Sequence, residues 1–436
     1  MTTGPQSKGS GPARAGVLDL LHLGAALGAD LLRGKKSDPA ATGRRWADEV
    51  MQRDGGADVD ITVPGLPLEL VGNREHSDEV LSTAPDGQGY QAGHTKTAAM
   101  SFLAPGALTI ANGPQWRRLR PFNERVLGTG APHPFASTFL IGVRSAFAAA
   151  VSAEDDVRAA MGRAMVKIVL GDVNPALDPA GDVTALFGVV QKPVKRALLG
   201  AFYQRRRERL YALLRRKWES ASERPYEETL IALASREASD VDRETLLQQI
   251  PHWMFTFTGS GTDLLVRTLC MITSRPNAHA RVRAEISGAG SLNDLDSVAR
   301  LRFLEACVLE TGRLFPPVTR TFHQHAGGDA ASQHEVVHYF PLLQRDDRLG
   351  PTVHHFRPER WLEPTLDEAA AASNLFLRGP RACPGMDLIL FVCKIALARQ
   401  IGELGVTAMQ DRLTQDPLPV SFPKMDARFR RSEANS

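Results

Sequence analysis

The fold is decided by the stretch FLRGPRACPG, residues 376–385, which runs directly into the mostly apolar segment from Met386 to Leu397. Glycines and prolines interrupt this stretch, and the pattern indicates a loop that presents one cysteine at the start of a helix. The helix dipole and the neighbouring Arg381 are expected to lower the pKa of the Cys383 thiol. The sequence therefore predicts a soft anionic metal ligand, although an isolated buried cysteine is more often a small apolar side chain.

The spacing of the same stretch, Phe-x-x-Gly-x-Arg-x-Cys-x-Gly, resembles the haem-ligand signature of the cytochrome P450 superfamily. An accidental match at five fixed positions is expected in roughly one in several thousand chains of this length. The five matching residues are Phe376, Gly379, Arg381, Cys383 and Gly385. The resemblance implies that Cys383 is the axial thiolate ligand of haem b, that Phe376 packs beside the sulfur, and that Arg381 contacts a haem propionate. The two glycines let the backbone approach a flat cofactor closely.

A second motif lies in the stretch GPQWRRLR, residues 113–120. On a helix, Trp116 and Arg120 are four residues apart and share a face, so an indole N–H and a guanidinium can converge on one anionic group. A solvated basic helix face has the same spacing. The pair also resembles the Trp-x-x-x-Arg pair of the P450 family, which binds a haem propionate. The resemblance gives a third propionate contact to Arg320.

A third motif joins Glu310 and Arg313 with the later segment from Pro358 to Trp361. It resembles the Glu-x-x-Arg helix and the Pro-Glu-Arg segment of the family. The resemblance implies a buried structural triad of Glu310, Arg313 and Arg360 behind the haem. One carboxylate between two guanidinium groups satisfies the condition that buried charges be paired.

The residues from 242 to 274 are expected to form one long helix, with Pro251 marking a kink or a late start. Its middle, GSGTD at residues 259–263, has two glycines where apolar residues would be the default. Glycine in a helix interior costs about 1 kcal/mol relative to alanine, so a local distortion with a use, or a close helix crossing, is expected here.

In the P450 family this part of the central helix carries Ala-Gly-x-(Asp/Glu)-Thr-Thr, whose acid and first threonine relay protons for dioxygen activation. Two registers compete in this chain. If Gly259 aligns with the family glycine, Thr262 takes the place of the threonine; if Gly261 does, Asp263 takes the place of the acid. The first register is preferred because its distance to Pro276 is nearer the usual length. Neither register supplies both members of the pair.

The composition is that of an ordinary globular protein, with 43% hydrophobic and 23% charged residues, and the formal charge of +3 is too small to indicate nucleic-acid binding. The four cysteines form no C-x-x-C pair, which favours a reducing, cytoplasmic compartment. Residues 1–16 are expected to be a disordered tail. Residues 17–32 are expected to form a surface helix, and no segment is apolar enough for a membrane span.

Together these motifs predict one P450 domain over residues 17–436, with family resemblance over about residues 40–425. The implied fold is mainly α with a small β subdomain, and it holds the haem between the long central helix and the helix after the Cys383 loop. The implied function is monooxygenation of a small, natural-product-like molecule by a monomer that receives electrons from a ferredoxin and its reductase. Basic residues expected to steer that acidic partner are Arg117, Arg118, Arg378 and Lys394.

Two alternatives remain open because the acid–threonine pair is incomplete. The first is a haem-thiolate enzyme that uses peroxide or performs redox-neutral chemistry. The second is a haem-binding protein without catalytic activity. Turnover with a ferredoxin system separates the first from the monooxygenase, and any turnover excludes the second. The sequence does not identify the substrate.

Overall fold

The structure is a computed structural model, and it describes most of the 436 residues. The described residues are 12–32, 38–54, 58–63, 66–86, 89–190, 193–224, 226–238, 241–326, 334–363, 368–408, 412–423 and 427–431.

A mixed sheet of six strands forms the small β part of the molecule. Its strand order is β1-β2-β3-β6-β5-β4, and a separate two-stranded sheet pairs β7 with β8. The pairs β1–β2 and β3–β6 are parallel, whereas β2–β3, β5–β6 and β4–β5 are antiparallel. The strands are β1 (Ala13–Ala15), β2 (Val59–Val63), β3 (Leu66–Val71), β4 (Tyr90–Ala92), β5 (Arg320–His325), β6 (Glu335–Tyr339), β7 (Val406–Ala408) and β8 (Phe429–Arg431).

Helices make up most of the described chain, which confirms the predicted mainly α fold with a small β part. The helices are α1 (Val17–Leu32), α2 (Pro39–Asp54), α3 (Arg74–Ser82), α4 (His94–Ser101), α5 (Gly113–Leu127), α6 (Ala136–Ala146), α7 (Glu154–Leu170), α8 (Pro179–Val190), α9 (Pro193–Glu223), α10 (Leu230–Arg236), α11 (Arg243–Leu247), α12 (Gln249–Thr256), α13 (Thr262–Thr273), α14 (Pro276–Gly288), α15 (Leu295–Ala299), α16 (Arg302–Leu314), α17 (Phe340–Leu343), α18 (Glu368–Ala371) and α19 (Met386–Leu397).

The central helix is the nearly continuous run α11–α12–α13, and it contains a π-helical segment at Phe257–Gly261. The wider π turn occurs where the sequence has two glycines, so the predicted distortion is present. Pro251 lies inside α12, near its start. At the π segment the central helix approaches α19 closely, because a Cβ on Gly261 would come within 2.8 Å of Cδ1 of Ile389.

The helix that follows the Cys383 loop is the most buried part of the fold. Between Leu388 and Leu397 nearly every residue is buried, and α19 packs against α6, α13 and α16. These helices contribute to one large apolar core, while the sheet has two small apolar clusters of its own. The core therefore fixes α19 relative to the central helix, and with it the loop that precedes α19.

The prediction that residues 1–16 form a disordered tail is wrong for the last residues of that range. Residues 1–11 lie outside the described residues, but Ala13–Ala15 form β1, which pairs with β2 and buries Ala13 and Ala15. Backbone pairing and two small apolar side chains outweigh the Gly- and Pro-rich composition here. The segment from residue 17 to 32 is helical as predicted. Within the described part of the chain, no helix combines the length and apolar character that crossing a bilayer requires.

Candidate functional site

The Cys383 loop has the sharp backbone turns that its glycine pattern predicts. The backbone N–H of Cys383 donates to the carbonyl oxygen of Phe376 at 2.7 Å, which closes the loop on itself. Leu377 and Gly379 both have left-handed backbone conformations, with φ of 56° and 57°. A Cβ at Gly379 would lie 2.9 Å from the carbonyl oxygen of Leu81, so a larger side chain cannot be accommodated there without movement of α3.

Protein surrounds Cys383 closely, yet the residue keeps accessible surface. This combination is expected of a residue that lines an internal cavity. Burial raises the pKa of the thiol. A hydrogen bond from the backbone N–H of Gly385 and the charge of Arg120 lower this pKa, but they oppose the effect of burial only partly. The expectation that Arg381 lowers this pKa is wrong, because its guanidinium donates instead to the backbone oxygens of Val80 and Tyr90. A cation at the sulfur would be needed to stabilise the thiolate.

Trp116 and Arg120 lie on the inner face of α5, and both are half-buried. Arg120 donates to the carbonyl oxygen of Ala382 at 2.5 Å and to Glu124 at 2.7 Å. One side of α5 is thereby attached to the residue before Cys383. Arg120 thus contacts the loop, and Trp116 lies one turn earlier on the same half-buried face of α5.

Lys96 is a further cation, close enough to Arg381 to be influenced by its charge, and no sequence motif singles it out. It is surrounded by protein but keeps accessible surface, and no described residue offers it a hydrogen-bond or ion-pair partner. Burial, followed by the charge of Arg381, lowers its pKa to about 8. An uncompensated ammonium in such a place favours an anionic ligand.

Arg320 is not brought to this cluster. It lies at the exposed start of β5, opposite Tyr339. His323, three residues further along the strand, is buried on the other face and is influenced by the charges of Arg381 and Lys96. Because side chains alternate between the two faces of a strand, an odd offset places them on opposite sides. The alternation along β5 was the signal that could have identified His323.

The three residues of the predicted triad are in direct contact. Glu310 accepts from Arg313 Nε at 2.9 Å and Nη2 at 2.8 Å, and from Arg360 Nε at 3.1 Å. The indole N–H of Trp361 and the backbone N–H of Arg357 complete the shell of the carboxylate. Burial would raise the pKa of Glu310, but the arginines outweigh burial and the pKa is lowered. The carboxylate is therefore ionised although the side chain is fully buried.

The residues on one face of the central helix are partly exposed, whereas the residues between them in the sequence are buried. Its residues recur at helical spacing, which indicates a continuous face toward an interior space. The aromatic ring of Phe255 stacks on Phe187 of α8 with centroids 3.5 Å apart, which covers this face from the outside. The face consists of His252, Phe255, Thr256, Gly259, Ser260 and Asp263.

Thr262 does not belong to that face. It is fully buried, and its hydroxyl donates to the carbonyl oxygen of Phe257 at 3.2 Å within the helix. Gly259 does belong to the face, where a Cβ would lie 2.9 Å from the Phe255 ring. The polar residues on the partly exposed face are Thr256, Ser260 and Asp263. The hydroxyls of Thr256 and Ser260 donate to the backbone oxygens of His252 and Thr256.

Two arginines hold the carboxylate of Asp263. Arg158 of α7 and Arg267 of α13 each approach it at 3.5 Å. Arg267 is fixed from its other side, because it donates to the backbone oxygens of Phe315 and Pro316 at 2.9 Å. Arg158 also lines a groove of about 820 Å³ between α7 and α8 that reaches the central helix at Thr258. The Asp263 carboxylate is therefore positioned between the interior face and this groove.

Three histidines have lowered pKa values that make stability depend on pH; His323 and His338 are buried, and His252 is partly exposed. Burial lowers the pKa of His252 to about 4, that of His338 to about 3, and that of His323 well below its usual value. Between about pH 6.5 and 4 the unfolded chain binds protons that the folded chain does not. Stability should therefore fall as pH falls, by up to about 1.4 kcal/mol per pH unit for each histidine.

The measurement for this prediction is the melting temperature between pH 7.5 and 5, a window above most carboxylate titrations. His323→Phe removes a ring whose two nitrogens find no hydrogen-bond partner among the described residues. The variant should therefore lose stability less steeply than the wild type over this window. Parallel profiles for the two proteins would contradict the prediction.

The basic residues predicted to steer a partner separate into two groups. Arg378 pairs with Asp78 at 2.8 Å, and Lys394 is buried and pairs with Glu305 at 2.9 Å, so both charges are neutralised locally. Arg117 and Arg118 are exposed on the outer face of α5. Only this second group remains as a basic surface near the Cys383 loop.

Comparison with known proteins gives a consistent result. The family model described as Cytochrome P450 matches residues 197–424, just over half of the chain. Cytochrome P450 monooxygenase cpaH of Aspergillus oryzae is 34% identical over 155 residues, which are 32% of this chain and 30% of that protein. Cytochrome P450 monooxygenase 91 of Postia placenta is 26% identical over 230 residues, 44% of this chain and 42% of that protein. The matches thus span less than half the length of these relatives.

A solved structure extends the likeness of fold to nearly the whole chain. The retinoic acid-bound cyanobacterial CYP120A1 superposes with a TM-score of 0.67 over 88% of this chain and 93% of that one. The sequence identity is 18%, so this likeness concerns the fold.

Proposed function

The chain belongs to the cytochrome P450 family, and on this premise we propose that it is a haem-thiolate monooxygenase of a small organic molecule. The observation that carries the proposal is the position of Cys383, which keeps accessible surface inside the protein and precedes α19, a helix that packs against α13 of the central helix. When bound, haem with a thiolate ligand supplies dioxygen activation, because electron donation from sulfur favours O–O cleavage.

The residues around the cavity fit a haem. Cys383 would hold the iron, and the raised pKa of its thiol is what an apolar site without a metal cation should produce. A haem carries two propionates, and Lys96 is a partly buried cation for which no described residue provides a carboxylate. We assign Lys96, Trp116, Arg120 and Arg381 to the propionate side. Arg320 is left out of this set because it is exposed.

The remaining residues of the site exclude water and hold the substrate. Phe187 and Phe255 stack over the interior face of the central helix, so the space beneath them is largely apolar. Gly259 allows the Phe255 ring to lie against this face, because a Cβ at position 259 would press on that ring. An apolar enclosure of this kind suits a natural-product-like substrate, which would be oriented mainly by shape.

We assign the proton-donating role to Asp263 rather than Thr262. The Asp263 carboxylate is on the partly exposed face, near Ser260, whereas the Thr262 hydroxyl is buried within its own helix. Arg158 links Asp263 to a groove through which water can supply protons. In the proposed role the Asp263 carboxylate accepts a proton from water in the groove and passes it toward the interior face.

Asp263→Asn should therefore lower the rate of product formation by about 10²-fold, the lower end of what general acid catalysis contributes. Thr262→Val, which removes a hydroxyl but keeps the side-chain volume, should retain coupling. The quantity to measure is the ratio of product formed to reductant consumed at saturating substrate. If the Thr262 variant loses coupling and the Asp263 variant keeps the wild-type coupling, the first register, with Thr262 in the place of the family threonine, is correct.

A second candidate function is a haem-thiolate enzyme driven by peroxide or performing redox-neutral chemistry. The observation in its favour is that no threonine hydroxyl occupies the position next to the acid on the interior face. Unchanged coupling in both variants would favour it. Turnover with hydrogen peroxide alone, compared with turnover with a ferredoxin and its reductase, distinguishes the two functions.

The electron donor in the proposed reaction is a ferredoxin that docks near α5. Arg117 and Arg118 are exposed there and would attract an acidic partner. The four cysteines are free, and Cys270, Cys307 and Cys393 are buried, in keeping with the proposed cytoplasmic location. A screen of natural-product scaffolds for shifts in the haem absorption spectrum is the experiment that would identify the substrate class.

A further inference from the structure

We propose that Asp58, Glu69 and His76 form a zinc site on the six-stranded sheet, outside the proposed haem pocket. Asp58 immediately precedes β2, Glu69 is on β3, and His76 is in the first turn of α3. Their donor atoms all lie within 4.8 Å of one another, and each side chain is half-buried. This inference does not depend on the proposed function.

The distances fit a tetrahedral cation. Nδ1 of His76 is 3.1 Å from Oδ2 of Asp58 and 3.8 Å from Oε1 of Glu69. Zinc bonds of about 2.0–2.1 Å in tetrahedral geometry place neighbouring ligand atoms about 3.3 Å apart. The two separations lie on either side of this value. One imidazole nitrogen and two carboxylate oxygens would leave a fourth position for water.

The atoms not used for the metal are already held by other groups. The second carboxylate oxygen of Asp58 accepts from the backbone N–H of Gly72 at 2.8 Å and from the Asn73 amide at 3.1 Å. Nε2 of His76 lies 3.3 Å from the Tyr90 hydroxyl. Metal ligands are commonly oriented by partners of this kind, which fix the tautomer and the direction of the lone pairs.

The local charge also points to a cation. Asp60 and Glu69 are directly opposite each other in the antiparallel β2–β3 pair, and like charges at such positions destabilise a sheet. Oδ1 of Asp60 is buried and has no hydrogen-bond partner among the described residues, and Nε2 of His334 lies 3.9 Å from it. The Glu69 carboxylate receives no hydrogen bond from any described residue. Asp60 and Glu69 therefore receive little compensation within the described structure, whereas Asp58 is held by the groups named above.

A bound zinc would stabilise the wall of the proposed haem pocket. The carbonyl oxygen of Tyr90 accepts from Arg381 in the Cys383 loop, and the Tyr90 hydroxyl lies beside His76. The Cys383 loop also rests on α3, since Arg381 donates to the carbonyl oxygen of Val80 at 3.2 Å. Fixing His76 would thus restrain both α3 and β4 behind the loop.

The test is a calorimetric titration of the haem-loaded, chelator-treated full-length protein with Zn²⁺ alone. We expect one Zn²⁺ per chain and an increase in melting temperature on binding. Glu69→Gln and His76→Ala should each weaken binding by at least about tenfold, the lower end of what even outer partners of a metal contribute. Glu69→Gln is the decisive variant because it keeps the side-chain shape and breaks no hydrogen bond in the described structure.

His355→Ala is the matched control. His355 pairs with Asp416 at 2.7 Å in an exposed site that lacks a third ligand among the described residues. The His355→Ala variant should bind Zn²⁺ with the same affinity as the wild type. Absence of stoichiometric binding would overturn the proposal and leave a protonated His76 paired with Asp58 as the explanation of the cluster. Equal affinity of the wild type and Glu69→Gln would overturn it as well.

Discussion

Cys383→Ser is expected to abolish the strongly red-shifted Soret band of the reduced, CO-bound protein. That band reports a thiolate sulfur on the iron, and a serine hydroxyl cannot replace the soft anionic donor. The loop itself should persist, because the bond that closes it runs from the backbone N–H of residue 383 to the carbonyl oxygen of Phe376. The measurement is the absorption spectrum after reduction and CO addition.

Cys393→Ser provides the control for this substitution. Cys393 lies ten residues further along, is fully buried in α19, and has a pKa raised by burial to about 12. Its thiol is therefore neutral and remote from the cavity lining, and the band should remain. A wild-type band in the Cys383 variant would contradict the assignment of Cys383 as the axial thiolate ligand.

Glu310→Gln is expected to give insoluble or haem-free protein. The substitution keeps the side-chain shape but leaves Arg313 and Arg360 buried without a counter-charge. Breaking a buried ion pair by removing one partner costs about 3–5 kcal/mol, and whole domains have only about 5–15 kcal/mol of stability. The measurements are the haem content per chain and the melting temperature.

Glu359→Gln tests whether the effect depends on burial. Glu359 pairs with Arg281 at 2.6 Å, but both side chains are nearly half exposed, and such surface pairs contribute about 0–1 kcal/mol. This variant should bind haem and melt as the wild type does. If Glu310→Gln behaves in the same way, the three residues are not the structural centre assigned to them.

The sequence predicted the Cys383 loop and the Glu310 contacts because both are local or strongly constrained. Glycine spacing indicates where left-handed backbone is needed, and Gly379 has that conformation. A buried carboxylate requires cations, and the Glu-x-x-Arg spacing already places one of them within reach. Physical necessity leaves few alternative arrangements for such residues.

The sequence could not decide the placements that depend on a side chain's direction. Arg320 and His323 are on one strand, and only the pairing of β5 with β4 and β6 decides which face is buried. Thr262 and Asp263 are adjacent, and the π segment decides which of them turns inward. Lys96 is isolated in the sequence, so its relation to the cavity comes entirely from tertiary packing.

Because of the π segment at Phe257–Gly261, the number of residues in this part of the helix decides which side chains share the interior face. A π turn takes up one residue more than an α turn, and each residue rotates a helix by about 100°. Deleting one residue there would turn the part carrying His252 and Phe255 away from the part carrying Asp263. All side chains would be retained, yet the interior face would be divided between two sides of the helix. For the same reason, a gapless alignment with a relative that lacks this turn can be correct on only one side of it.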